Sequence, residues 1–120
     1  MIKINIKNET NRLRAVLVGI ADNFGDTPSI EDCYDPKSKE HVKLGIFPSQ
    51  DDCLKEMHAL VSIFNKYNIK VYRPNNIKDL NQIFSRDIAF VIGGKFVLPN
   101  IIEDRKQELY AIEYLFDKID

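Results

Sequence analysis

The residues best placed to do chemistry are Arg86 and Asp87, adjacent charges set inside an apolar run. Ile83 and Phe84 precede them, and Ile88, Ala89, Phe90, Val91 and Ile92 follow. Beyond Gly93 and Gly94 come Phe96, Val97 and Leu98. Charged side chains are seldom fully buried unless paired or bound to something. Two readings follow. In one, the pair stands at the entry to a strand and is satisfied by loops or water. In the other, Asp87 faces a cavity and offers its carboxylate to a cation. Strand side chains alternate between faces, so on a strand Arg86 and Asp87 point apart and serve separate purposes.

The other reactive residue types lack partners in the sequence. Cys53 falls on the apolar stripe of a helix beside Leu54 and Met57, where a thiol behaves as a small hydrophobe. Cys33 lies between Asp32 and Tyr34, in acidic surroundings that do not favour a thiolate. His58 belongs to the same helix as Cys53, and His41 stands near Lys43 in a polar stretch. No nucleophile is spaced from a base as a catalytic pair would be. No metal-ligand spacing occurs, and nothing points to a cofactor. Asp22 and Asn23 read as a turn, which both residue types favour.

Several elements must position these groups. Gly93-Gly94 between two β-prone runs predicts a two-residue hairpin, and the near-continuous apolar run predicts strands buried on both faces. Ile2 to Ile6 alternates as an edge strand would, and Leu13 to Gly19 reads as a buried, β-branched strand. Gly19 to Phe47 lacks periodicity and reads as one long loop, of the kind that is usually functional or disordered. Ser49 then caps a helix with Asp51 and Asp52 in its first turn, whose stripe is Leu54, Met57, Leu60, Val61, Phe64 and Tyr67. Ile69 to Pro74 is a short strand, Asn75 to Leu80 a turn. A last helix from Glu103 turns Leu109, Ile112, Leu115 and Phe116 inward. Alternating strands and helices argue an α/β class.

Composition bounds the function. The 120 residues suit one domain, 1–120, and 44% hydrophobic with 29% charged content is ordinary for a globular chain. A net charge of -1 gives no reason to expect nucleic acid or an anionic membrane as partner. No apolar run approaches the roughly 20 residues of a membrane span. Met1 to Lys7 lacks the apolar core of a secretory signal, so the expected location is cytoplasmic. Two cysteines are too few for a disulfide framework.

The segment Phe84-Ser85-Arg86-Asp87-Ile88-Ala89-Phe90-Val91-Ile92-Gly93, with Arg105 beyond it, resembles the Arg-Asp signature of the guanidine-modifying superfamily. That superfamily holds arginine deiminases, dimethylarginine dimethylaminohydrolases and amidinotransferases. Val16-Leu17-Val18-Gly19-Ile20-Ala21-Asp22-Asn23 is similar to the first strand and loop of the amidinotransferase branch. The resemblance spans about Asn8 to Phe116 and implies part of a pentein-type α/β propeller, about two of its five ββαβ-type modules. The chain is less than half as long as family members and looks like the N-terminal portion of one.

What the resemblance implies is guanidine chemistry. A guanidinium becomes attackable at carbon only when held and kept protonated, which carboxylates do through paired charge-assisted hydrogen bonds. Asp87 maps onto the family's guanidinium-anchoring aspartate. Arg105, eighteen residues on, maps onto an arginine that grips a substrate carboxylate in the arginine-processing branches; it is otherwise a surface arginine near a helix start. The family's second acid, its histidine and its cysteine nucleophile lie beyond the stretch covered here. The implied function is therefore the guanidinium-holding part of an enzyme acting on arginine or a related compound, with no catalytic residue of its own. Such a chain should be inactive alone, and its uncovered faces predict a homo-oligomer or a missing C-terminal portion. The rival functions are a non-catalytic interaction or oligomerisation module and a small-molecule binder of the same fold.

Overall fold

The computed structural model describes residues 1–120, and its regular strands are short. β1 (Ala15–Leu17) pairs in parallel with β2 (Lys70–Tyr72), Val16 opposite Val71. A parallel pair needs a long crossover, and here it contains α1 (Pro36–Leu44) and α2 (Gln50–Lys66). β3 (Phe90–Ile92) and β4 (Lys95–Val97) form the expected hairpin, Ile92 opposite Lys95. Of the two turn glycines only Gly93 takes a positive φ, +56°, as the first position of a II′ turn requires.

α2 follows its sequence signals closely. Ser49 caps it by accepting the Asp52 N–H, and Asp51 and Asp52 stand at its positive end. Its apolar stripe is less covered than expected. Cys53 is buried and Leu54, Met57, Val61 and Phe64 half-buried, but Leu60, Ile63 and Tyr67 are exposed.

The core lies between the hairpin and the C-terminal turns. Ile88, Ala89, Ile112 and Leu115 form its centre, with Leu17, Tyr72 and Phe96 packed against them. Ile88 and Ile112 are fully enclosed, each burial stabilising by about 1.5–3 kcal/mol. A second joint lies at the end of β1. A Cβ on Gly19 would stand 2.1 Å from the Ile83 carbonyl oxygen, so only glycine lets the 82–83 backbone close on this strand. Ile20 N–H donates to the Gln82 carbonyl there, and the buried Gln82 side chain bonds the backbone of Asn75 and Ile77.

Several expectations are corrected. Residues 19–47 are not wholly irregular: α1 is capped by Asp35 and ends at Gly45 with φ +67°. It buries no residue, so no apolar stripe marked it. Ile2 to Ile6 forms only isolated bridges, Ile2 to Ile119 and Ile6 to Gly93. The last helix breaks into a 3₁₀ turn at Glu103–Arg105, the short α3 (Gln107–Tyr110) and a 3₁₀ stretch at Glu113–Lys118. Its inward residues hold: Ile112 and Leu115 are buried, Leu109 and Phe116 half-buried. The hairpin is not buried on both faces, since Phe90 and Ile92 are exposed beside the half-buried Val91. No helix is long and apolar enough to cross a membrane.

Candidate functional site

Asp87 does not sit on a strand. Ser85–Asp87 is a 3₁₀ turn in which the Phe84 carbonyl accepts from Asp87 N–H at 3.2 Å and the Ser85 carbonyl from Ile88 N–H at 3.3 Å. Ser85 is buried and donates its hydroxyl to the Leu17 carbonyl at 3.1 Å, which pins the turn to the end of β1. The strand alternation argued for Arg86 and Asp87 therefore does not apply. Arg86 is 86% exposed, and its Nε lies 3.7 Å from Asp87 Oδ1, beyond hydrogen-bond distance.

Asp87 is joined instead to Arg105. The Arg105 Nη1–H donates to Asp87 Oδ2 at 2.8 Å, bringing together the two residues singled out in the sequence. Arg105 ends one 3₁₀ turn and Glu108 lies in the α3 turn that follows, the three-residue spacing at which helical side chains meet. Nε–H donates to Glu108 Oε1 at 2.6 Å and Nη2–H to Glu108 Oε2 at 2.9 Å, a bidentate fork. Nη2 also donates to the Phe84 carbonyl at 3.0 Å. The Glu108 side chain is only 3% exposed and that of Arg105 14%, whereas that of Asp87 is 47% exposed.

The electrostatics follow from these contacts. The Glu108 hydrogen bonds hold the Arg105 guanidinium protonated beyond its already high ordinary range; burial opposes this and Asp87 adds to it. Tyr34 comes close enough to feel the same cluster. Burial pushes its phenol up, Arg105 opposes, and Glu108 adds to the rise. Asp87 Oδ2 is occupied, while Oδ1 accepts no hydrogen bond. The arrangement can present one carboxylate oxygen, steadied from behind by an arginine, to a cation arriving from solvent.

The two most prominent clefts lie away from Asp87. A cleft of about 290 Å³ lies between Leu98–Ile101 and the C-terminal turns, lined in part by Lys106, Tyr110 and Glu113. An entirely apolar one of about 100 Å³ separates the two sheets. Neither is lined by Asp87 or Arg105.

The remaining candidates lie apart from this cluster. Cys53 is buried, and its thiol is pushed up by burial, then by Glu56 and Asp52. Cys33 is also buried and donates to the Ser29 carbonyl. His58 is exposed on α2, and His41 lies in the last turn of α1. Asn23 forms part of a turn, as expected, and its amide bonds Asn76 and the Asp79 N–H. No group of three or more His, Cys, Asp or Glu side chains is gathered to hold a metal ion. Sequence reasoning passed over Glu108; its spacing from Arg105 and its place among inward apolar residues were the available signals.

No protein-family model and no curated protein matches the chain. Solved structures do. The chain superposes over 97% of its length on SxtG, an amidinotransferase of the saxitoxin biosynthetic pathway from Microseira wollei, at 20% identity and a TM-score of 0.68. It superposes equally far on the inosamine-phosphate amidinotransferase StrB1 from Streptomyces griseus, at 18% identity and a TM-score of 0.65. It spans 38% of the first chain and 40% of the second. The mixed helix-and-strand fold of this protein is thus one found within amidinotransferases.

Proposed function

We propose that this chain is the guanidinium-holding part of an amidinotransferase-like enzyme, with Asp87 as its anchor. The observation that carries the reading is the Oδ1 of Asp87, which accepts no hydrogen bond and has only the exposed Arg86 at 3.7 Å, half-exposed beside an Oδ2 fixed by Arg105 in a fold shared with two amidinotransferases. The substrate class is an arginine-like guanidine compound. Residues 1–120 act as one unit, corresponding to about two modules of an α/β propeller. The histidine and the cysteine that forms the covalent amidino intermediate come from polypeptide outside these residues, because Cys33 and Cys53 are buried and neither is hydrogen-bonded to a histidine. Alone, the chain holds a guanidinium but does not cleave it.

A titration of the chain with guanidinium, against ammonium as control, tests this by NMR. Guanidinium should shift the backbone amides of residues 84–88, and Asp87→Asn should weaken the response about tenfold, the effect of one charge-assisted hydrogen bond. Equal responses to both cations, or an unchanged Asp87→Asn protein, would count against the anchor.

A second reading, an interaction module, is favoured by the apolar side chains left open. Leu60, Ile63 and Tyr67 on α2 and Phe84, Phe90 and Ile92 around the hairpin are exposed. Exposed apolar area of this kind drives association, with a second copy or a complementing chain. Light scattering separates the readings: assembly that is unaffected by Asp87→Asn, with no guanidinium response, leaves the interaction module standing alone.

A further inference from the structure

We propose that Arg105 is a positioning residue which Glu108 keeps turned onto Asp87, so that the site takes a guanidinium or amidinium cation and offers a ligand carboxylate no grip. The inference rests on the reading of Asp87 as the guanidinium anchor and adds the ligand's chemistry. A guanidinium has five N–H donors in a rigid fork. Four of those on Arg105 are already committed, two to Glu108, one to the Phe84 carbonyl and one to Asp87. One N–H on Nη1 remains, and a single donor cannot form the paired contact that makes arginine a carboxylate receptor.

Freeing more donors is costly. Turning the fork outward would leave Glu108, 3% exposed, as a buried carboxylate without its cation. Charge does not favour a carboxylate either, since Asp87 and Glu108 are balanced by Arg105 and the nearby Arg86. Arg86 is the other guanidinium near Asp87, but it is 86% exposed and makes no hydrogen bond there. A carboxylate contact with it would be screened by water. Glu108 therefore sets specificity through Arg105 without touching the ligand.

The test uses the full chain and three probes: acetate, arginine and agmatine, the decarboxylated counterpart of arginine. The side-chain Nε–H signals of Arg105 and Arg86 and the amides of residues 84–88 are followed by NMR. In the unaltered protein, acetate should leave the Arg105 signal in place, and agmatine should bind at least as tightly as arginine. Glu108→Gln keeps the shape but removes the charge. It should speed Arg105 Nε–H exchange about tenfold and let acetate shift that signal, as loss of one charge-assisted hydrogen bond implies. Acetate moving Arg105 in the unaltered protein, or arginine binding tenfold more tightly than agmatine, overturns the inference, whether or not the variant folds. Failure of agmatine to shift residues 84–88 would overturn the Asp87 anchor and the ligand class with it. The acetate result still reports separately on how Arg105 is held.

Discussion

The seam joining Phe84–Asp87 to Arg105–Glu108 and the excursion from Phe24 to Phe47 are built in opposite ways. The seam depends on partners 18 to 21 residues apart, including Arg105 with Asp87 and with the Phe84 carbonyl. Its Glu108 and Arg105 side chains are enclosed beside the buried core residues Ile88, Ala111 and Ile112, while Asp87 stands half-exposed at its outer edge. The excursion is closed at its base by the stacked rings of Phe24 and Phe47, 5.5 Å between centroids, and by Gly25 N–H donating to Gln50. Beyond that base it is held mostly by near neighbours: Ser29 with Asp32, Asp35 with Ser38, Lys37 with Glu40. Bonds to distant segments beside the core make a region fail as a whole, whereas local bonds let it open by itself.

The largest expected effect strikes the closely packed side of this comparison. Gly19→Ala would drive a methyl group into the Ile83 carbonyl at 2.1 Å and the Gln82 carbonyl at 2.5 Å, both backbone atoms. The cost should reach about 5 kcal/mol, the exceptional end for one substitution, and abolish cooperative unfolding. A Gly19→Ala protein with an unchanged melting transition would mean that the 82–83 backbone is not held against β1.

Next comes Glu108→Ala, which removes a buried carboxylate and leaves Arg105 without its fork. Breaking a buried pair costs about 3–5 kcal/mol, and the lower end applies because Arg105 retains Asp87 and some water access. Urea unfolding measures it. A loss below about 1 kcal/mol would make the Arg105–Glu108 pair equivalent to a surface ion pair and erase the contrast with the excursion.

The smallest effect is local. Asp35→Ala removes the cap of α1 and should cost about 1 kcal/mol of that helix, since α1 buries no residue. Hydrogen exchange should quicken over Pro36–Leu44 while the global transition stays in place. Acid should do the same reversibly. The Ser38 side chain and backbone, in that order, hold the Asp35 carboxyl below its usual range. The capping stability is thus present above the ordinary aspartate value and lost as pH falls below it through the lowered one. A matching fall in global stability would show that α1 is coupled to the seam, with Tyr34 and its proximity to Arg105 as the first place to look.

The elements legible in the sequence were those specified by neighbours along the chain. Ser49 and a three-and-four-residue apolar stripe determined α2, Gly93-Gly94 determined the hairpin turn, and Ile69 to Pro74 marked β2. α1 was equally local, but its signals were only its ends, Asp35-Pro36 and Gly45, because a helix whose only apolar side chains besides Pro36 are Val42 and Leu44 has no period to find. The residues of the candidate site, Asp87 and Arg105, were also named from sequence. Their arrangement was not. Whether Asp87 stands on a strand or a turn depends on Ser85 finding the Leu17 carbonyl, and whether Arg105 is free depends on Glu108 being buried. Gly19 likewise looks like any strand-end glycine until the 82–83 backbone closes on it. Hydrogen bonds across 18 to 68 residues and the exclusion of water from a carboxylate exist only once the chain has folded, so tertiary structure alone decided them.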